Sequence, residues 1–256
     1  MNTPAQEPVN ILCLKYGKLY PAHYVNRLYA GASRHLSRPF TFYCCTDDPT
    51  DLRREVRVIP FPENPGLKTH WPHVLVKLML TRNGCGGLSG PTLFLDLDVA
   101  ITGDIDCFFD YHPGRNCMIQ NWVNWHKKLL GRRPQIGNSS VFRFEAGPSS
   151  DYIYQTFLKE MARAEDTRIY NTEQAFLTYA MQDVIWWPDS WVRSFKWHLR
   201  PFFPLNRIKT PQLPHNCRIL VFHGRPNPDE AIRGYTGKTT RHSTLPSPWI
   251  ENYWKL

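Results

Sequence analysis

Long apolar runs are missing from this sequence. No stretch approaches the ~18–20 consecutive apolar residues that a membrane-spanning helix needs, so no integral span is expected. A Cys-x-x-Cys pair is also missing. The 7 cysteines, Cys13, Cys44, Cys45, Cys85, Cys107, Cys117 and Cys217, are odd in number, and several sit in apolar, strand-like runs. That usage argues against a zinc ribbon or a disulfide framework and for reduced, mostly buried thiols of a cytosolic protein. Residues 1–8 carry neither a basic nor an apolar leader segment, so no secretory signal is expected there. Gly-x-Ser-x-Gly does not occur, and no cysteine stands in a nucleophile motif. The run Gly234-Tyr235-Thr236-Gly237-Lys238-Thr239 lacks the leading glycine of a phosphate loop, whose place Ile232 takes, and no apolar strand precedes it. His70 and His73 flank Pro72, which interrupts the helical spacing of a metal-binding pair.

Acidic charge is in short supply: 22 Asp and Glu stand against 31 Lys and Arg, a net charge of +9. From Trp191 to Leu256 there are 11 Lys and Arg against 3 acids, so the last quarter carries nearly all the excess. An anionic partner follows: a phosphate-bearing substrate, an anionic lipid surface or nucleic acid.

The 256 residues suffice for one large domain. Val9–Leu14 reads as a first strand. Pro21 opens a helix whose apolar face carries Ala22, Val25, Leu28, Tyr29, Ala32 and Leu36. Phe40–Cys45 and Val56–Ile59 read as strands, and this strand–helix–strand order implies a parallel, doubly wound α/β sheet. Trp71–Thr81 reads as a second helix with Lys77 among Val74, Leu75, Leu78 and Met79. Strands follow at Leu93–Leu95, Cys117–Gln120, Ser140–Phe144 and Arg218–Phe222. Ser149 or Ser150 caps a helix running to about Ala164, and Thr172 caps another over Glu173–Met181.

The stretch with most chemical content is Pro91–Val99, where an uncharged strand runs into Asp96-Leu97-Asp98. In open α/β sheets, ligands bind outside the carboxyl ends of the strands. Two carboxylates there suit a hard divalent cation. With 13 Asp in the chain the pattern is weak alone, and Asp104-Ile105-Asp106 repeats it as a helix cap and first-turn acid. Four pieces arrive in one order: Asp96-Leu97-Asp98 ending a strand, Asn138-Ser139-Ser140 opening one, Glu173-Gln174 starting a helix, and His223-Gly224-Arg225-Pro226-Asn227-Pro228 ending a late strand.

Together these motifs resemble those of the nucleotide-sugar glycosyltransferases of GT-A fold, family 8-like, over about Val9 to Pro228. The resemblance implies a single-domain, Rossmann-like α/β fold with a mixed, mostly parallel central sheet flanked by helices. It divides the chain into a nucleotide-binding half (about 1–110), a donor-sugar and acceptor half (111–230) and a basic, aromatic tail (231–256). The activity implied is metal-dependent transfer of a sugar from a nucleotide-sugar, a UDP-sugar foremost, to a hydroxyl of a glycan, glycolipid or protein, with retention. Asp96, Asp98 and His223 would ligate Mn2+ or Mg2+. Lys77, Leu97, Gly224 and Arg225 would meet the donor, Lys15, Tyr16, Thr46 and Asp47 its base and ribose, and Asn138 and Ser139 its sugar. Glu173, Gln174 and Asn138 would stand beside the anomeric carbon. Two departures stand out: Asn227 occupies the place of a phosphate-binding lysine, for which Arg225 would substitute, and Ser140 replaces a glycine.

The segment Ser190–Arg200 interleaves aromatics with cations, which suits an acceptor site or a peripheral contact with an anionic inner-membrane surface. Two other readings compete. A haloacid-dehalogenase-type phosphohydrolase would use Asp96 as nucleophile, although that motif usually lies near the N-terminus. A basic, non-enzymatic nucleic-acid binder would use the C-terminal charge, but no binding module is visible.

Overall fold

The computed structural model describes residues 7–68, 74–122, 131, 135–170 and 172–256. Its centre is a seven-stranded sheet built from β1 (Val9–Lys15), β2 (Phe40–Thr46), β3 (Val56–Pro60), β4 (Gly90–Leu95), β6 (Cys117–Gln120), β7 (Gly137–Ala146) and β8 (Ile185–Trp186). The strand order is β3-β2-β1-β4-β7-β6-β8. Four of its pairings are parallel (β1 with β2, β1 with β4, β2 with β3, β6 with β8), and β7 runs antiparallel to both β4 and β6. The chain therefore has the mixed, mostly parallel sheet that the sequence implies. A second, three-stranded sheet of order β5-β10-β9 joins β5 (Val99–Ile101), β9 (Val192–Ser194) and β10 (Ile219–Val221).

Both faces of the central sheet are covered, which is why its strands read as continuous apolar runs. Successive side chains alternate between two buried clusters. Ile11, Cys13, Phe42, Cys44, Leu93 and Leu95 point one way, and Leu12, Tyr43, Cys45 and Phe94 the other. Helix α1 (Ala22–His35) follows Pro21 and packs Val25, Leu28 and Ala32 on the first face. The second face is covered by α4 (Asp151–Lys159), through Ile153 and Phe157, and by α6 (Glu173–Met181), through Phe176, Leu177 and Ala180. Phe94 and Phe142 stack there with ring centroids 4.7 Å apart.

Some local expectations are revised. Of the helix expected over Trp71–Thr81, the described residues are helical only in α2 (Val76–Met79), and Trp71–His73 lie outside the described residues, as do His70 and most of the Trp- and Lys-rich run after Trp122. The helix expected from Ser149 or Ser150 to Ala164 breaks at Glu160, so α5 (Met161–Glu165) is separate. Ser150 takes the expected N-cap position of α4, but its hydroxyl makes no capping bond and donates instead to the carbonyls of Thr81 and Gly147. Asp106 precedes α3 (Cys107–Asp110), but its carboxylate accepts from Arg38 Nε at 2.7 Å and the Ser37 amide at 2.8 Å. Helix α7 (Pro228–Arg233) straddles residue 230, and beyond it Ile250 and Trp254 are buried, with Trp254 edge-on to Tyr24 of α1. All 7 cysteines are free, and only Cys107 is not fully buried. No described helix is long and apolar enough to cross a membrane.

Candidate active site

The sheet places the site. Strand order reverses between β1 and β4: the chain runs outward from β1 to β2 and β3, then returns to β4 on the other side of β1. The carboxyl ends of two adjacent parallel strands diverge at such a point and leave a crevice. Tyr16 follows β1 there, and Asp96-Leu97-Asp98 follows β4. These residues line a cleft of about 240 Å³ with Leu14, Leu19, Tyr20, Val74 and Lys77.

One wall is a buried ionic cluster. Lys77 Nζ lies 2.7 Å from Asp96 Oδ1 and 3.7 Å from Glu173 Oε1, and it donates to Ser139 Oγ at 3.2 Å. Ser139 Oγ in turn donates to Glu173. Burial would lower the Lys77 pKa, but the charges of Asp96 and Glu173 outweigh it and hold the ammonium above its ordinary value. Three elements supply this wall. Lys77 comes from α2, Ser139 from β7, and Glu173 from the first turn of α6, where Thr172 accepts from the Ala175 amide as the expected cap. Antiparallel pairing of β4 with β7 continues past Leu95 and Val141, so the Asp96 amide donates to the Ser140 carbonyl at 2.9 Å. Asn138 and Ser139 thus lie at the opening of β7, and Asn138 Oδ1 accepts from the Ser140 amide at 3.0 Å. Gln174 Oε1 is buried and has no hydrogen-bond partner among the described residues.

The other wall is brought in by the small sheet. Val99 of β5 pairs with Val221 of β10, and the Phe222 amide donates to the Asp98 carbonyl, which sets His223 and Gly224 beside Asp98. Asp98 Oδ2 accepts from the Gly224 amide at 3.1 Å and the Tyr20 hydroxyl at 3.2 Å. Burial, and then the neighbouring Asp96 charge, push the Asp98 pKa up against those two bonds and Lys77. His223 has φ 34°, an uncommon backbone for a side-chain-bearing residue. Its Nε2 lies 2.6 Å from Ser194 Oγ, and its ring stacks on Trp122 at 5.3 Å. Burial and the nearby Lys196 lower the His223 pKa to about 4, so the imidazole is neutral at pH 7.

Not every expected residue joins this cleft. Lys15, Thr46 and Asp47 form a knot at the ends of β1 and β2: Lys15 Nζ donates to the Asp48 carbonyl at 3.0 Å, and Asp47 Oδ2 accepts from the Gly17 amide at 2.9 Å. Arg225 is largely exposed, and its guanidinium pairs with Glu230. Conversely, Tyr20 carries no motif in the sequence, and Ser194 and Lys196 only fall in the aromatic and cationic run Ser190–Arg200, yet Tyr20 and Ser194 hold Asp98 and His223. Lys196 Nζ donates to the His223 carbonyl at 2.7 Å.

The donor set fits a hard divalent cation in its chemistry. Asp96, Asp98 and Glu173 bring three carboxylates, and among the described residues only Lys77 pairs with any of them. A neutral imidazole completes a mixed oxygen–nitrogen set. Among the described residues no three His, Cys, Asp or Glu side chains already converge as a cage. Gathering Asp96, Asp98 and His223 on a cation would exchange the Lys77 and Ser194 contacts for metal bonds.

No protein-family model and no curated protein matches this chain. Solved structures do. The galactosyltransferase LgtC, in complex with donor and acceptor sugar analogues, superposes with a TM-score of 0.54 at 14% identity, covering 86% of this chain and 88% of that one. An active-site glutamine-to-glutamate variant of LgtC gives a TM-score of 0.58 at 14% identity over 86% and 89% of the two chains. The bifunctional glycosyltransferase WbbM gives 0.56 at 10% identity, covering 89% of this chain and 48% of that one. Together with the sheet order, these likenesses show that the chain has the GT-A type of fold on which those glycosyltransferases are built.

Proposed function

We propose that the protein is a glycosyltransferase that moves a sugar from a nucleotide-sugar to an acceptor hydroxyl, with a divalent metal and with retention at the anomeric carbon. One observation carries the reading: at the strand-order reversal, Asp96 and Asp98 face a cleft whose wall continues through Lys77 and Ser139 to Glu173. LgtC, which shares the fold, is solved with donor and acceptor sugar analogues.

Asp96, Asp98 and His223 would hold Mn2+ or Mg2+, which supplies positive charge to the diphosphate leaving group. Lys77 is fixed by its two carboxylates and presents a cation on the same wall. When the C1–O bond to the diphosphate breaks, its electron pair stays on the diphosphate oxygen; the acceptor oxygen bonds to C1, and its proton passes to that departing oxygen. Such same-face transfer gives retention and asks for no free carboxylate base. Glu173 suits this, because it is already bonded to Ser139 and paired with Lys77, and so it serves to shape the donor-sugar pocket. Gln174, whose buried side-chain oxygen has no partner among the described residues, has hydrogen-bonding capacity left for a sugar hydroxyl. The phosphohydrolase alternative leaves Ser139, Glu173 and Gln174 without a task.

The test is donor turnover with Mn2+ and its dependence on Asp98. Release of nucleoside diphosphate should fall at least about 100-fold in Asp98→Asn, the scale set by loss of one preorganised electrostatic element. Undiminished, metal-dependent turnover by that variant would end the proposal.

A further inference from the structure

The late motif lacks the lysine that its resemblance calls for, and the residue expected to compensate does not sit at the cleft. The Arg225 guanidinium pairs with Glu230, whose carboxylate also accepts from the Asn227 amide at 2.9 Å. The segment Arg225–Glu230 is thereby committed to starting α7.

A different cation fills the neighbourhood. Lys196 lies in the one-turn π-helix Phe195–Leu199 that follows β9, and β9 runs parallel to β10 with Ser194 opposite Val221. Its ammonium is half-buried and donates to the His223 carbonyl at 2.7 Å. A Cβ at Gly224 would stand 3.3 Å from that nitrogen, so the missing side chain there leaves room for the ammonium against the loop. The Gly224 amide is itself bonded to Asp98. Lys196 therefore sits on the same His223–Gly224 loop that Asp98 holds, and no carboxylate among the described residues lies within ion-pair distance of it. An ammonium has three donors, and the described residues use one of them. A half-buried cation with no carboxylate of the described residues at ion-pair distance, next to a proposed metal site, is arranged to receive an anion.

We propose that Lys196 grips the donor diphosphate, taking the place of the lysine that Asn227 displaces. The proposal rests on the nucleotide-sugar reading above. It explains why the loss of a phosphate-binding residue from the late motif leaves the site with a cation, delivered from β9 rather than β10. It also gives the Ser190–Arg200 segment a task at the donor rather than at a membrane.

The test compares binding of nucleoside diphosphates (UDP, GDP, ADP and CDP) with the corresponding monophosphates in the presence of MnCl2, by calorimetry on the full chain. The parent should prefer one diphosphate over its monophosphate at least about tenfold. Lys196→Met should erase most of that preference, Lys196→Arg should keep it, and Arg225→Gln should retain the greater part. Lys238→Met, an exposed lysine of the same basic quarter, controls for net charge and should leave the preference intact. Should Lys196→Met fold poorly, Lys196→Gln answers the same question, with thermal unfolding as the check on both. If the parent binds the diphosphate preferentially and neither neutral variant weakens that preference, Lys196 has no such role. If the parent prefers no diphosphate, the nucleotide-sugar reading itself fails and this proposal with it.

Discussion

Replacing Lys77 with methionine keeps roughly the length and the apolar stem of the side chain and removes its charge and its N–H donors. The structure says what is left behind. Asp96 loses a partner at 2.7 Å and Glu173 one at 3.7 Å, while Ser139 loses a donor at 3.2 Å. Side-chain exposure is 10% for Lys77 and Glu173 and 26% for Asp96, so the carboxylates are only partly rescued by water. Breaking a buried pair from one side costs roughly 3–5 kcal/mol, and the exposure of Asp96 places this case near 3 kcal/mol. In a domain of this size that lowers the melting midpoint by roughly 6–12 °C. Asp96→Asn, added to Lys77→Met, removes the orphaned charge. Denaturant unfolding of the parent, both single variants and the double variant should therefore give a coupling energy of at least about 1 kcal/mol. The double variant should be more stable than the sum of the two losses allows, yet inactive in transfer. Additive losses, within about 0.5 kcal/mol, would refute the buried-cluster reasoning.

Other consequences are equally direct. Arg143 is fully buried in β7, and its guanidinium donates to the carbonyls of Phe108, Phe109, His112 and Arg115 around the end of α3. Arg143→Leu should cost about 3 kcal/mol or more by leaving those carbonyls unpaired, measured by chemical unfolding. An undiminished midpoint would show that water or α3 repairs the loss. Gln174→Leu should leave stability unchanged or raise it by up to about 1 kcal/mol, because the unpartnered amide oxygen is removed, while transfer falls at least about tenfold. Equal turnover in that variant would take Gln174 out of the sugar pocket.

How much was legible depends on the range of the signal. The strands flanking the crevice show in the sequence because both faces of the sheet are buried, so Ile11–Cys13, Phe42–Cys45 and Leu93–Leu95 are apolar without alternation. Asp96 and Asp98 stand out as charges at the end of such a run. The small sheet was harder to read: β5 and β9 are three residues each, too short for a period, and β10 meets β5 from about 120 residues away along the chain and β9 from about 27. That pairing brings His223 and Gly224 to Asp98, and it also brings Ser194 and Lys196, which the sequence marks only as part of the aromatic and cationic run Ser190–Arg200. The role given to Arg225 came from the resemblance and from its charge, and Glu230, five residues on, competes for the guanidinium. Arg143 had a signal that went unread, a lone cation inside an apolar strand.

The central claim, a metal-assisted nucleotide-sugar site built on Asp96 and Asp98, is tested most directly by thermal unfolding against a panel of nucleotide-sugars with and without MnCl2. A ligand that binds only the native state at about 100 times its dissociation constant adds about 2.7 kcal/mol. That corresponds to roughly 5–11 °C in a domain of this size. One nucleotide-sugar should produce such a shift with Mn2+, a much smaller one without it, and none in Asp98→Asn. Shifts no larger than those given by the free nucleosides, with or without metal, would contradict the account.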